Sequence, residues 1–370
     1  MTKGYYVKSF IKTNIVLVIA TGLAIISCFF VFPDKEYLGY FDTRTLVSLF
    51  GMSAVVASLK NLKFFRILAG KILKVFRTTK SATTALVAIT YFASMLIAND
   101  MALITFLPLG YFVLKSAGRE DRMAFTFTMQ TIAANLGGML TPFGNPQNLY
   151  IYNAFEVPTL EFFKIMLLPT LVAIVLIALC CLIGKSEKIE LIDDEKAVLN
   201  KPKTAVCFVL FAYMVVLVFR LVPTWTGLLI IPVMLLFDHK ALLKVDYPLL
   251  LTFCMFFVFT GNLSRIQAVN DFFSALLQKS VLLTGVLSCQ VISNVPSAVL
   301  LSKFTTNYQS LLVAVNIGGC GTLISSMASL ITFKTFSLHR PKERKKYILL
   351  NSLLSFGFLI VLTAFCLIIN

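Results

Sequence analysis

The sequence predicts an all-α polytopic membrane protein built as an inverted-topology repeat, with two re-entrant helical hairpins and two interrupted transmembrane helices. Three observations predict it. Apolar runs recur at the length of about 20 residues that a helix needs to cross a hydrocarbon core. Hydrophobic residues make up 58% of the 370, with a mean hydropathy of +0.87, more than a soluble core could bury. Two polar phrases also occur twice in the same order. Asn99-Asp100 is followed by Asn135-Leu136-Gly137-Gly138, and Ser293-Asn294 by Asn316-Ile317-Gly318-Gly319.

The elements follow in order. The predicted spans are 14–32, 44–59, 123–155 (interrupted), 163–184, 204–219, 223–237, 247–261, 310–333 (interrupted) and 347–369. Stretches 82–114 and 272–306 each carry an Asn in mid-run, and their arms are short for full crossings, so both read as hairpins. The first repeat is 1–203, ending in a polar linker. The second, 204–370, opens with a linking helix. Asp42 and Asp246 stand at matching positions before the first helix common to both halves.

Charge sets the orientation. Lys and Arg gather in 60–80, 334–346, 185–203, 1–12 and 115–122, with Lys240 and Lys244 between spans. With the N-terminus inside, 26 of the 33 basic residues fall on the cytoplasmic side, and the C-terminus ends outside. The net charge of +16 therefore reads as positive-inside bias and not as a nucleic-acid footprint. Lys3, Lys8 and Lys12 precede a long apolar run without a small-residue cleavage site, which reads as an uncleaved first span. Segment 60–80 reads either as an amphipathic helix on anionic lipid or as a plain orientation signal. The eight cysteines all lie in apolar stretches without metal-ligand spacing, so neither a disulfide framework nor a zinc site is expected.

Chemistry concentrates at the repeated phrases. A hairpin bend inside a membrane must satisfy backbone groups that a continuous helix would satisfy itself. Asn99, Asp100, Ser293 and Asn294 supply side-chain oxygens there, as helix caps and as ligands facing a cavity. Asp100 is the acidic residue placed deep in an apolar stretch. Ionised there, it costs roughly 2.5–3.5 kcal/mol, so it must pair, bind a cation or hold a proton. Its counterpart is Val295, so the repeat is not symmetric at the ionisable position. The run from Asn135 through Thr141, Pro142, Gly144, Asn145, Pro146 and Asn148 cannot stay helical. Its partner, from Asn316 through Gly319, Thr322 and Ser325, reads either as a second unwound site or as close helix packing through small residues. Broken helices at matching positions of two halves point to the binding site of a secondary transporter.

These residues resemble the ion transporter superfamily, which includes divalent anion/sodium symporters, arsenite-efflux permeases and a branch of sodium/proton antiporters. The nearest likeness is to bacterial citrate-transporter-like anion permeases, over essentially the whole length. The resemblance implies that the hairpin tips meet the interrupted helices at mid-membrane and hold substrate between them. It nominates Asn99, Asn145, Asn148, Asn294, Thr322 and Ser325 for substrate. For a coupling cation it nominates Asn99, Thr141, Gly144, Ser293 and Asn294, to which the residues themselves add Asp100 and Gly319. It also suggests a homodimer. The Asn-Asp and Asn-x-Pro tips are similar to the arsenite and sodium/proton branches.

The expected function is thus secondary active transport of a small anion across a bacterial cytoplasmic membrane, by alternating access. The coupling ion is sodium or the proton, with no other cofactor. Arsenite efflux and sodium/proton antiport are the alternatives. An intramembrane enzyme is disfavoured, because His239 and His339 lie in short polar loops and Asp100 has no acidic partner in its stretch.

Overall fold

The computed structural model describes residues 14–73, 78–183, 186–187 and 199–369, with the side chains of 72 and 73 excepted. The basic residues of 1–12 and most of the linker 185–203 lie outside them. Among the described residues, five helices are long and apolar enough to cross a membrane, and two bent pairs raise that to seven if each is one span.

The first half runs α1 (Ile15–Cys28), α2 (Thr43–Asn61) and α3 (Phe64–Leu73), then α4 (Thr79–Ser94) and α5 (Asn99–Ser116). It continues with α6 (Met123–Gly137), α7 (Pro146–Ala154) and α8 (Thr159–Leu182). The second half runs α9 (Lys201–Val218), α10 (Ile230–Leu242), α11 (Tyr247–Ser264) and α12 (Gln267–Lys279). Then come α13 (Val281–Ile292), α14 (Asn294–Leu301), α15 (Tyr308–Ile317), α16 (Met327–His339) and α17 (Arg344–Ile369). Asp42 caps α2 by accepting from Thr45 N at 3.0 Å, and Asp246 caps α11 in the same way from Leu249 N at 3.0 Å.

Helices α4 and α5 form the first hairpin. Ala82, Ala85 and Leu86 on one arm pack with Val113, Leu109 and Ala117 on the other, the register of two antiparallel helices. In the second hairpin, Ser288 of α13 and Ser297 of α14 share a hydrogen bond at 2.8 Å. Its first arm begins at Val281, not near 272, because Ser280 ends α12 and caps α13 by accepting from Leu283 N. The preceding α12 meets α13 at 119°. It carries Gln267, Asn270, Asp271 and Lys279, too polar a set for a hydrocarbon-spanning arm. Segment 60–80 likewise bends, with α3 leaving α2 at 59°.

The two interrupted helices run antiparallel. At one end of the molecule, Arg340 after α16 pairs with Glu120 before α6 at 3.1 Å, and His339 stacks on Tyr111 of α5 at 3.7 Å. At the other end, Tyr150 of α7 bonds Ser302 after α14 at 2.7 Å, and Tyr308 of α15 donates to Glu161 of α8 at 2.7 Å. The hairpins therefore open toward opposite ends, and their tips approach one another in the middle. Helices α1, α2, α9, α10 and α11 pack as a frame beside this unit and meet it through α7 and α14.

A polar clasp closes the end that carries Asp34. Arg265 after α11 donates to Asp34 at 2.7 Å and to Tyr40 at 3.1 Å. The Arg265 hydrogen bond holds the Asp34 carboxyl below its ordinary pKa of 3.8. A carboxyl depressed in the folded state stabilises above its unfolded pKa, and that contribution fades as pH falls through the lowered value. Asp34→Asn should therefore lower the thermal midpoint in detergent at neutral pH. The gap between variant and wild type should close below pH 3.8.

Candidate functional site

Each interrupted helix breaks at its Gly-Gly pair. Helix α6 ends at Gly137, a short 3-10 turn covers Gly138–Leu140, and α7 starts at Pro146, whose missing N–H is harmless at a helix start. In the second half, α15 ends at Ile317 and α16 starts at Met327. Gly321 has φ +118, a backbone region open to glycine, and a side chain there would strike Gln290. A side chain on Gly144 would strike the carbonyl of Gly138 across the first break.

The freed backbone is satisfied by side chains, in matching ways. Thr141 Oγ1 donates to Met95 O at 2.6 Å, and Thr322 Oγ1 to Gln290 O at 3.1 Å. Met95 lies four residues before Asn99 and Gln290 four before Asn294, so each threonine ties its break to the corresponding carbonyl of its hairpin. Asn99 accepts from Asp100 N and Asn294 from Val295 N, both at 2.9 Å. Across the molecule, Asn135 Nδ2 donates to Ser326 Oγ at 3.0 Å, and Asn145 Nδ2 to Asn316 Oδ1 at 3.2 Å.

Two amides depart from this symmetry. Asn148 Nδ2 donates to the carbonyls of Gly138, Met139 and Thr141 at 3.1–3.2 Å. In the second half Gln290 Nε2 donates to Gly318 O at 2.9 Å and Cys320 O at 3.0 Å, while its Oε1 accepts from Thr322 N at 2.9 Å. Different residues thus fill both carbonyl clusters with an N–H donor.

A narrow cleft opens between the tips, its cavity volume of about 20 Å³ giving room for about one water. It is lined by the opening residues of four helices: Asn99 and Asp100 of α5, Pro146 and Gln147 of α7, Asn294 and Val295 of α14, and Met327 of α16. The frame adds Val16, Leu249 and Thr252. Asp100 is the one charged side chain among the described lining residues. Its Oδ1 and the Oε1 of Gln147 are buried without a protein partner.

The expected site residues divide into two groups. Asn99, Asp100, Ser293 and Asn294 line the cleft. Asn145, Asn148, Thr322 and Ser325, nominated for substrate, do not; nor do Thr141, Gly144 and Gly319. Their donors are engaged in bracing the breaks, as in Ser325 Oγ to Gly319 O at 2.8 Å. Asn135 belongs with this second group, since it accepts from Asn99 Nδ2 at 2.9 Å and donates to Gly319 O at 3.2 Å. Gln147, Thr252 and Gln290 carried no role in the sequence reading. Gln147 and Gln290 lie inside the phrases that drew attention, and their polarity within apolar runs was the available signal. Thr252 gave none, being a hydroxyl on an ordinary apolar helix.

The sequence pattern of citrate transporters fits residues 7–310. The chain is 32% identical over 329 residues to an uncharacterized transporter of Methanocaldococcus jannaschii, covering 88% of this chain and 89% of that one. It is 27% identical over 326 residues to the inner membrane protein YbiR of Escherichia coli, covering 86% of each.

The bracing makes an unequal prediction for two matched positions. Asn148→Leu leaves carbonyls of the first break without their donor and should destabilise by about 3 kcal/mol. Ser329→Ala, at the equivalent place in the second half, loses a hydroxyl paired only locally and should cost about 1 kcal/mol or less. Thermal unfolding in detergent reads both.

Proposed function

The chain belongs to the citrate transporter family, and from that premise we propose that this multi-pass membrane transporter moves a small carboxylate of the citrate type, coupled to protons. One observation carries the reading: four helix N-termini and a single carboxylate converge on a cleft without a basic side chain among its described lining residues.

First-turn N–H groups have no intrahelical acceptor and point along the helix axis, which suits them to anions. Each N-terminus acts like roughly +0.5 charge, so four contribute up to about +2. An ionised Asp100 cancels about half of that, and a protonated Asp100 cancels none. Anion and proton therefore favour each other's binding at one site, and the coupling is reciprocal. The cleft-facing Asn99, Ser293, Asn294 and Gln147 are the polar groups assigned to the substrate.

The filled carbonyl clusters favour the proton over sodium. A sodium ion at either break would need carbonyl oxygens that Asn148 and Gln290 already hold. The antiparallel interrupted helices and oppositely opening hairpins support an inverted repeat working by alternating access. The positive-inside bias supports a cytoplasmic N-terminus and basic face, and the likeness to an inner membrane protein supports a bacterial inner membrane.

Proteoliposomes loaded at high pH and diluted into acidic buffer with labelled citrate, succinate or phosphate test the proposal. A carboxylate should accumulate without sodium. Asp100→Asn should keep exchanging substrate at equal concentrations but lose at least about tenfold of the gradient-driven uptake. An absolute sodium requirement, or gradient-driven uptake intact in Asp100→Asn, would contradict it.

A further inference from the structure

Away from the cleft, a second polar region lies where α17 packs against α6 and α16. On α17, Tyr347, Asn351 and Ser355 follow one another at four-residue steps and are all buried, so they form one stripe facing inward. On α6 the facing stripe is Thr128, Thr131 and Asn135, and on α16 it is Ser329 and Thr332, continued by Ser326 at the cap. These stripes meet. Thr131 Oγ1 donates to Thr332 Oγ1 at 2.6 Å, Ser326 and Ser329 share a bond at 3.0 Å, and Asn135 Nδ2 reaches Ser326. Asn135 in turn accepts from Asn99 at the hairpin tip.

Hydroxyls in membrane helices are often plain adhesive, bonded to the carbonyl one turn back, and Thr131 and Thr332 do bond Phe127 O and Ala328 O. That reading leaves four atoms unexplained. Thr128 Oγ1, Tyr347 OH and both amide atoms of Asn351 are buried without a protein partner. Tyr347 and Asn351 are each 0% exposed. The Tyr347 hydroxyl lies beside those of Thr128 and Thr131 without closing a well-formed bond. Polar atoms so placed are satisfied by ordered water, and this seam offers several donors and acceptors close together. Its outer end reaches the basic face, where Arg122, Arg340, Glu120, Glu343, His339 and Arg344 stand.

We propose that the seam between α6, α16 and α17 is a hydrated path that passes the coupling proton between the first hairpin tip, beside Asp100, and the basic face. The proposal rests on the proton-coupled reading. Each hydroxyl or water accepts one proton and releases one. The net change is one proton moved along the seam, with nothing oxidised or reduced. The amides of Asn351 and Asn135 do not relay; they orient the water that does.

Hydration is tested without reference to transport. In a chain whose eight native cysteines are replaced by alanine or serine, Asn351→Cys, Thr128→Cys and Leu353→Cys are exposed in membranes to aminoethyl methanethiosulfonate, which attacks the thiolate. Leu353, on the same helix, is 70% exposed on the outer surface, where lipid lies. The seam positions should react at least about tenfold faster than Leu353→Cys. Equal, slow reaction at all three overturns the proposal. For flux, Asn351→Leu and Thr128→Val should each cut gradient-driven uptake about tenfold while substrate exchange stays within about twofold. Equal loss of both activities, or no loss of either, overturns the relay. Wild-type vesicles without carboxylate flux would sink the transport reading instead, and the labelling would still decide the hydration.

Discussion

Unwound backbone in a membrane has no water to turn to, and its freed carbonyls and N–H groups must find partners within the protein. Most of the centre of this molecule answers that constraint. Thr141 and Thr322 tie the breaks to the hairpin carbonyls, and Asn135, Asn145 and Asn316 tie the breaks to each other. Asn148 and Gln290 take up most of the remaining carbonyls. Side-chain amides serve because each carries two donors on one nitrogen, and two or three carbonyls converge at each break. The result is a braced unit of two hairpins and two broken helices, with the frame helices beside it.

Bracing of this kind leaves the helix N-termini as the electrostatic content of the cleft. Satisfying the carbonyls from within the fold removes most of the negative ends from the site, while the four positive ends still face it. Asp100 then decides the sign margin. Because its counterpart is Val295, the repeat supplies one titratable group and not two, which suits one proton shared with one anion. A lysine or arginine in its place would stay charged across the physiological range and could not serve as such a switch.

Much of this was legible in the sequence for a physical reason. Asn, Gly-Gly and Pro inside apolar runs violate the rules for a membrane helix, so they announce the breaks and tips wherever they stand. Asn99, Asp100, Ser293 and Asn294 were found that way, and they do line the cleft. The division of labour behind them was not legible. Whether Asn148 faces a ligand or the carbonyls of Gly138 and Met139 depends on which way a short helix is rotated, and composition does not encode that. The start of the second hairpin was misplaced by some nine residues for a related reason: Phe272, Phe273, Leu276 and Leu277 read as membrane-spanning until the bend at Ser280 shows α12 to be a separate amphipathic helix. Thr252 and the buried seam of Asn351 and Tyr347 lie on unbroken helices, where single polar residues give no distinguishing pattern.

The proposed transport depends on one linkage, that the anion and the proton on Asp100 stabilise each other in the cleft. Calorimetric titration of the purified protein with citrate, in buffers of differing ionisation enthalpy, reads it most directly. That linkage predicts uptake of about one proton per anion bound, lost in Asp100→Asn and unaffected by replacing sodium with choline. Binding with no proton uptake between about pH 5 and pH 8, or binding that appears only with sodium, would contradict it.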